Sequence, residues 1–274
     1  MLTLAELSFA SHGDLAVHQQ AAARYASRQH LLNLRVSEVS AMVLDLPVFF
    51  SRNSQSGQWL LSALCSFTPG QNLRVQQDRW LGGYQPLCLQ TYPLVLVGET
   101  KAGSGPSKLG LWQDQAVLGL ASAGGLALFQ SSGQPSLYLK QQQVLLKADL
   151  EQEFQTYQFI KTISELGLLK ELDLHLLQQD GGSQLIKGLA TVNEDQLQQL
   201  SATQLFQLQQ QGYLLVLHAM LLSIGQLNPL ILWHNQQVNQ QQVHQQQVAA
   251  TQPAGALLKS IKLELSRSPH SAAF

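Results

Sequence analysis

Charge is scarce in this chain. Only 12% of its 274 residues are Asp, Glu, Lys or Arg, against roughly 25% in an average soluble domain. With 16 basic and 17 acidic residues the formal net charge is −1, so there is no positive field to gather a polyanion, and nucleic-acid binding through clustered phosphate contacts is not expected. The basic stretches at 140–147 and 259–267 are interrupted by apolar residues and read as amphipathic edges. Cysteine is nearly absent. Cys65 and Cys88 have no C-x-x-C or Cys/His ligand spacing and are expected as buried free thiols. The opening MLTLAELSFASHGDL contains acidic residues and no basic stretch ahead of a long apolar run, so the expected compartment is the cytoplasm.

Catalytic signatures are missing as well. A hydrolase elbow of the form G-x-S-x-G does not occur, and GETKAGSGPSK and GLASAGGLALF lack both phosphate-cradling glycine spacings, so they read as ordinary loops with no cofactor implied. The 8 histidines are scattered without H-E-x-x-H or facial-triad spacing, and no metal site is expected. One uncharged run, 213–233, has the length of a bilayer span. It contains His218, Gln226, Asn228 and Pro229, lacks Lys or Arg anchors and is solitary, so it reads as a buried core helix.

Glutamine takes the place of charge. The chain has 41 of them, read either as an amide-rich solvated surface or as an interaction surface. Apolar residues make up 45%, enough for a sizeable core. From Leu31 short apolar runs separated by turn residues (41–50, 59–67, 73–75, 86–89 and 94–97) predict strands, with KAGSGPS at 101–107 as the most flexible-looking loop. From Asp149 the period becomes helical through Phe154, Tyr157, Ile160 and Ile163, closed by Gly167. Asp180-Gly181-Gly182 predicts a hairpin turn, and Asn193 with Gln196 and Ser201 with Gln204 have the spacing of capping boxes. The fold class that follows is α+β, a β-rich N-terminal half packed against a helical C-terminal half with a central buried helix over 202–224. Residues 1–30 read as an N-terminal helical arm, 31–233 as the globular domain, and 234–274 as a Gln-rich low-complexity tail ending in a short amphipathic segment, LLKSIKLEL.

Candidate binding residues are few. Trp80, Tyr84 and Tyr92, within RWLGGYQPLCLQTYPL, read either as the lining of a groove for peptide or sugar or as core and turn packing. His218 sits inside the apolar helix, where an imidazole needs a hydrogen-bond partner, expected from the β-rich half. Asp45 joins it as a plausible acid or base if the chain is an enzyme.

The order of segments resembles the SapC family, through LDLPVFFS from Leu44, the long stretch from Gly70 to Leu96, VNEDQLQQL from Val192 and GYLLVLHAMLLSIGQL from Gly212. The resemblance covers 31–231. Where the family often has paired arginines before Tyr-Pro, this chain has Gln90-Thr91. The resemblance implies a non-enzymatic binding or accessory protein linked with surface-layer or outer-membrane functions, acting with partners such as flavin halogenase-like, cupin-like or TonB-receptor-linked proteins. The alternative is an enzyme with a dispersed site that modifies a peptide or glycan.

Overall fold

In the computed structural model, residues 2–97, 108–178, 182–248 and 258–265 are described. The KAGSGPS loop and the Asp180-Gly181 turn lie outside them. In chain order the elements are β1 (Leu4–Glu6), α1 (Phe9–His12), β2 (Leu15–Val17), α2 (Ala21–Ala26), β3 (Leu31–Asn33), α3 (Val39–Met42), β4 (Val48–Arg52), β5 (Trp59–Leu64), β6 (Val75–Gln76), β7 (Arg79–Trp80), α4 (Leu87–Gln90), β8 (Leu94–Val97), β9 (Lys108–Trp112), β10 (Leu118–Leu120) and β11 (Leu126–Ala127). Then follow α5 (Leu137–Glu165), β12 (Leu169–Gln178), β13 (Ser183–Val192), α6 (Glu194–Gln198), α7 (Ala202–Gln210), α8 (Tyr213–Ser223), α9 (Leu227–Val248) and β14 (Leu258–Leu265). The α+β class, with its β-rich first half and helical second half, is the one read from the sequence.

The main sheet has the order β14-β12-β13-β4-β5-β3, with every pair antiparallel. Along β4 the residues Val48, Phe49, Phe50 and Ser51 are all buried, so both faces of the sheet centre are covered. Phe159 of α5 stacks on Phe50 and meets Tyr213 of α8 edge-on, which pins both helices over one face. A second core forms between the small sheets β1-β9-β8 and β10-β2-β11, around Val17, Tyr92, Leu111 and Val117. Helix α5 joins the two. Its Leu139 and Leu146 belong to the second core and its Phe159 and Ile163 to the first.

Helix α5 begins well before the predicted start at Asp149. Ser136 caps it by accepting from the Leu139 N–H. Its buried stripe is Leu139, Gln142, Leu146, Thr156, Phe159 and Ile163, while Phe154 and Tyr157 are exposed, because the inward face includes polar members that an apolar count overlooks. Gly167 closes it as predicted. At φ +69 its N–H bonds to the Ser164 carbonyl and the Leu168 N–H to Ile163, the two crossed bonds of a Schellman cap.

Four expectations are corrected. The first thirty residues are woven into the second core through β1 on β9 and β2 on β10 and β11, where a helical arm was expected. Residues 87–90 form α4 and not a strand, since Pro86 is preset for a helix entry. The helix over 202–224 breaks at Gly212, whose φ of +73 ends α7 and starts α8 on a new axis. Finally, α8 is central but only half covered: Val216, Leu217, Met220 and Ser223 are buried, and Leu215 and Leu222 remain 69% and 82% exposed. Ser223 fixes the orientation by accepting from the Val48 N–H and donating to Met220.

The Gln-rich stretch continues as α9, and the terminal amphipathic segment is β14, lying antiparallel along β12 from Leu172 to Gln178.

Candidate functional site

A cleft of about 590 Å³ opens between α5 and the end of the main sheet where β3 stops and β5 runs on. That size lies within the range of small-molecule sites, about 300–1,000 Å³. Trp59 and Leu60 of β5, Gln58 before it, and Tyr157 and Ile160 of α5 form its walls. Arg35, Glu38, Cys88 and Glu153 also line it, Glu38 buried and Glu153 exposed. A second cavity of about 250 Å³ shares Arg35, Cys88 and Glu153 and continues toward Tyr25, Tyr92 and Asp149.

Glu38 is buried and folds back on its own turn. One carboxylate oxygen accepts the Arg35 N–H at 2.7 Å, and the other accepts the Leu87 N–H at 2.7 Å and the Tyr84 hydroxyl at 2.9 Å. Burial raises its pKa, and the three donors oppose that rise without cancelling it. With both oxygens engaged, Glu38 is a staple between α3 and α4. Arg35 reaches the other way, forking onto Asp149 at 2.6 and 2.9 Å, with Glu153 at 3.4 Å. Beside it the Val36 N–H donates to Thr156 at 2.9 Å. Burial alone would lower the Arg35 pKa, yet the Asp149 carboxylate holds it above its ordinary value.

Of the sequence-predicted residues, Trp80, Tyr84 and Asp45 come together, but around a loop and not a groove. Trp80 donates its indole N–H to the Tyr84 carbonyl at 2.8 Å, and Asp45 accepts the Gly83 N–H at 2.6 Å and Arg74 at 3.4 Å. Arg74 in turn lies over the Trp233 ring, 4.3 Å from its centroid, tying the loop to α9. Tyr92 belongs to the second core. Its ring stacks on Tyr25 at 3.8 Å, and its hydroxyl donates to Asp114 at 2.7 Å, beside Arg28 on the same carboxylate. The core-packing reading therefore fits Trp80, Tyr84 and Tyr92, although Tyr92 also borders the smaller cavity. His218 is the clearest correction. It is exposed, and its partner is the Leu214 carbonyl one turn back in its own helix at 2.7 Å, not a group from the β-rich half. Where the family often carries arginines, Gln90 bonds to the Gln85 carbonyl and Thr91 to Leu87, both local.

Sequence reading missed Arg35, Glu38, Trp59 and Tyr157. Trp59 alone carried a signal, as an aromatic opening a strand. Both cysteines are free thiols. Cys88, which lines both cavities, has its thiol pushed up to about 12 by burial and then by Glu38, which keeps it protonated and a poor nucleophile. Among the described residues no group of three His, Cys, Asp or Glu is placed to hold a metal ion.

What these features define is an antiparallel α+β scaffold, with a ligand-sized cleft at one sheet end and an uncovered apolar helix face. The chain belongs to the SapC family, whose model matches residues 7–230. The match starts 24 positions before the resemblance seen by eye, in keeping with the N-terminal strands being part of the fold. No curated protein and no solved structure matches the chain.

Proposed function

We propose that the chain is a non-enzymatic binding or accessory protein that acts by docking a partner protein on the open face of α8, in the surface-layer or outer-membrane setting that its family resemblance implies. The observation that carries this is the uncovered stripe Leu215, His218 and Leu222, spaced three and four residues apart on one helix face. Leu44, 76% exposed, extends the stripe, because its carbonyl accepts from Gln226, which stands one turn beyond Leu222. Contiguous exposed apolar surface of this kind marks an interaction site.

The occupant is a protein and not a lipid surface. Tyr213–Gln240 is the one helix among the described residues long and apolar enough to cross a bilayer, but α8 commits its other side to β4 and β13 through Leu217, Met220 and the Ser223–Val48 bond. The stripe also carries no Lys or Arg to meet anionic headgroups. Flavin halogenase-like, cupin-like and TonB-receptor-linked proteins are the partners to try first.

The test is gentle purification of the tagged chain from its native source beside the Leu215→Glu, Leu222→Glu double variant. Stoichiometric recovery of one identified protein, lost in the variant at unchanged melting temperature, is the expected result. A strictly solitary monomer overturns the proposal, and association with a second copy alone replaces the partner with the protein itself.

A further inference from the structure

We infer that the 590 Å³ cleft between α5 and β5 binds a short neutral oligosaccharide. The argument starts from charge. Five charged side chains line the cleft: Arg35 is held by Asp149 and Glu153, Glu38 by three protein donors, and Lys161 and Glu165 stand in solvent as a loose pair at 3.9 Å. A phosphate or carboxylate finds no buried unpaired cation there, and an amine finds no buried unpaired carboxylate. The groups left over are uncharged.

They form an aromatic platform ringed by amides and hydroxyls. Arg52 covers one face of the Trp59 ring, 4.5 Å from its centroid, and Arg52 does not line the cleft, so the indole turns its other face inward. Tyr157 of α5, 56% exposed, lines the same cleft. Gln58 and Ser164 add an exposed amide and hydroxyl, and Asn53 spends its side-chain oxygen on its own turn, at the Gln55 and Ser56 N–H groups, which leaves its NH2 to donate. Sugar rings present apolar C–H faces to aromatic surfaces and hydroxyls around their edges. This wall offers the matching alternation of ring faces with neutral donors and acceptors. The cleft shares no lining residue with the α8 stripe and stands or falls independently of partner docking.

The experiment titrates the full chain with cellotriose, maltotriose, mannotriose and chitotriose, read by calorimetry and tryptophan fluorescence. Saturable binding of at least one trisaccharide, equal at low and high salt and weakened at least tenfold by Trp59→Ala, supports the inference. Tyr157→Ala and Gln58→Ala, both at exposed positions, give the same reading should the tryptophan variant fold poorly. Binding to none of the four, binding only to charged ligands, or binding indifferent to all three substitutions overturns it.

Discussion

Arg35 and Asp149, 114 positions apart, meet through two parallel hydrogen bonds at the point where α5 passes from one core to the other. Arg35 stands at the exit of the main sheet's edge strand, and Asp149 at the middle of the helix that serves both cores. The fork fixes the register of one against the other. Both side chains are mostly buried, at 22% and 16% exposure.

Removing one partner strands the other away from water. Arg35→Met and Asp149→Asn are each expected to cost about 3 kcal/mol, the lower end for breaking a buried pair. The double variant should cost clearly less than the sum, because the two share one interaction. Urea denaturation of the four proteins measures this.

Acid should act through Asp114. Burial alone would raise its pKa, but the Arg28 guanidinium, the Tyr92 hydroxyl and the Ala116 N–H hold it below the ordinary 3.8. A depressed carboxyl contributes stability that is complete above its unfolded value and is lost as pH falls through the folded one. Thermal melts of the wild type should therefore drop below about pH 4, and Asp114→Asn should flatten that part of the acid limb. Tyr92→Phe, which loses a bond to a charged acceptor, should cost about 2 kcal/mol at neutral pH.

Glu38 has the opposite sign. Its folded pKa is raised above the ordinary 4.5, so its contribution is fullest below that value and is lost as pH rises through the folded one. Glu38→Gln places an NH2 or a misaligned carbonyl against donors and should be less stable than wild type throughout. The gap is expected to narrow as pH rises above about 4.5. Parallel melts across the acid-to-neutral range are the check, and a gap that widens with pH would contradict the assignment.

His218→Leu should change stability by less than about 0.5 kcal/mol, as for a surface site. A core histidine facing the sheet would have cost more, so one denaturation curve separates the two placements.

How much of this was legible follows from what each residue was decided by. Local chemistry was readable. Asn193 and Ser201 cap α6 and α7 as their spacing foretold, Gly167 ends α5, and the strands that flank the predicted Asp180-Gly181-Gly182 turn pair as β12 and β13. The orientation of α8 was not readable. Its eleven residues are apolar on every side apart from His218 and Ser223, so period alone gives no inward face, and a distant backbone donor at Val48 chose it by pairing with Ser223. The cleft was hidden for a related reason. Arg35, Trp59 and Tyr157 are unremarkable where they stand in the sequence, and only the packing of α5 beside β5 turns them toward one space.

The terminal strand β14 lies along β12, and that placement decides what a truncation should do. Deleting 249–274 uncovers the edge of β12, so the melting temperature should fall by several degrees, with more aggregation on heating than the full chain shows. Calorimetry with light scattering tests both.

That same arrangement bears on biosynthesis. The main sheet takes one edge, β3, from the start of the chain and the other, β14, from beyond every other element. A ribosome releases β12 and β13 long before β14 exists, and during that interval the nascent sheet presents the border of β12 from Leu172 to Gln178 unpaired to whatever is nearby. Synthesis of this protein thus includes a period in which the edge of β12 is bare, until β14 emerges to seal it.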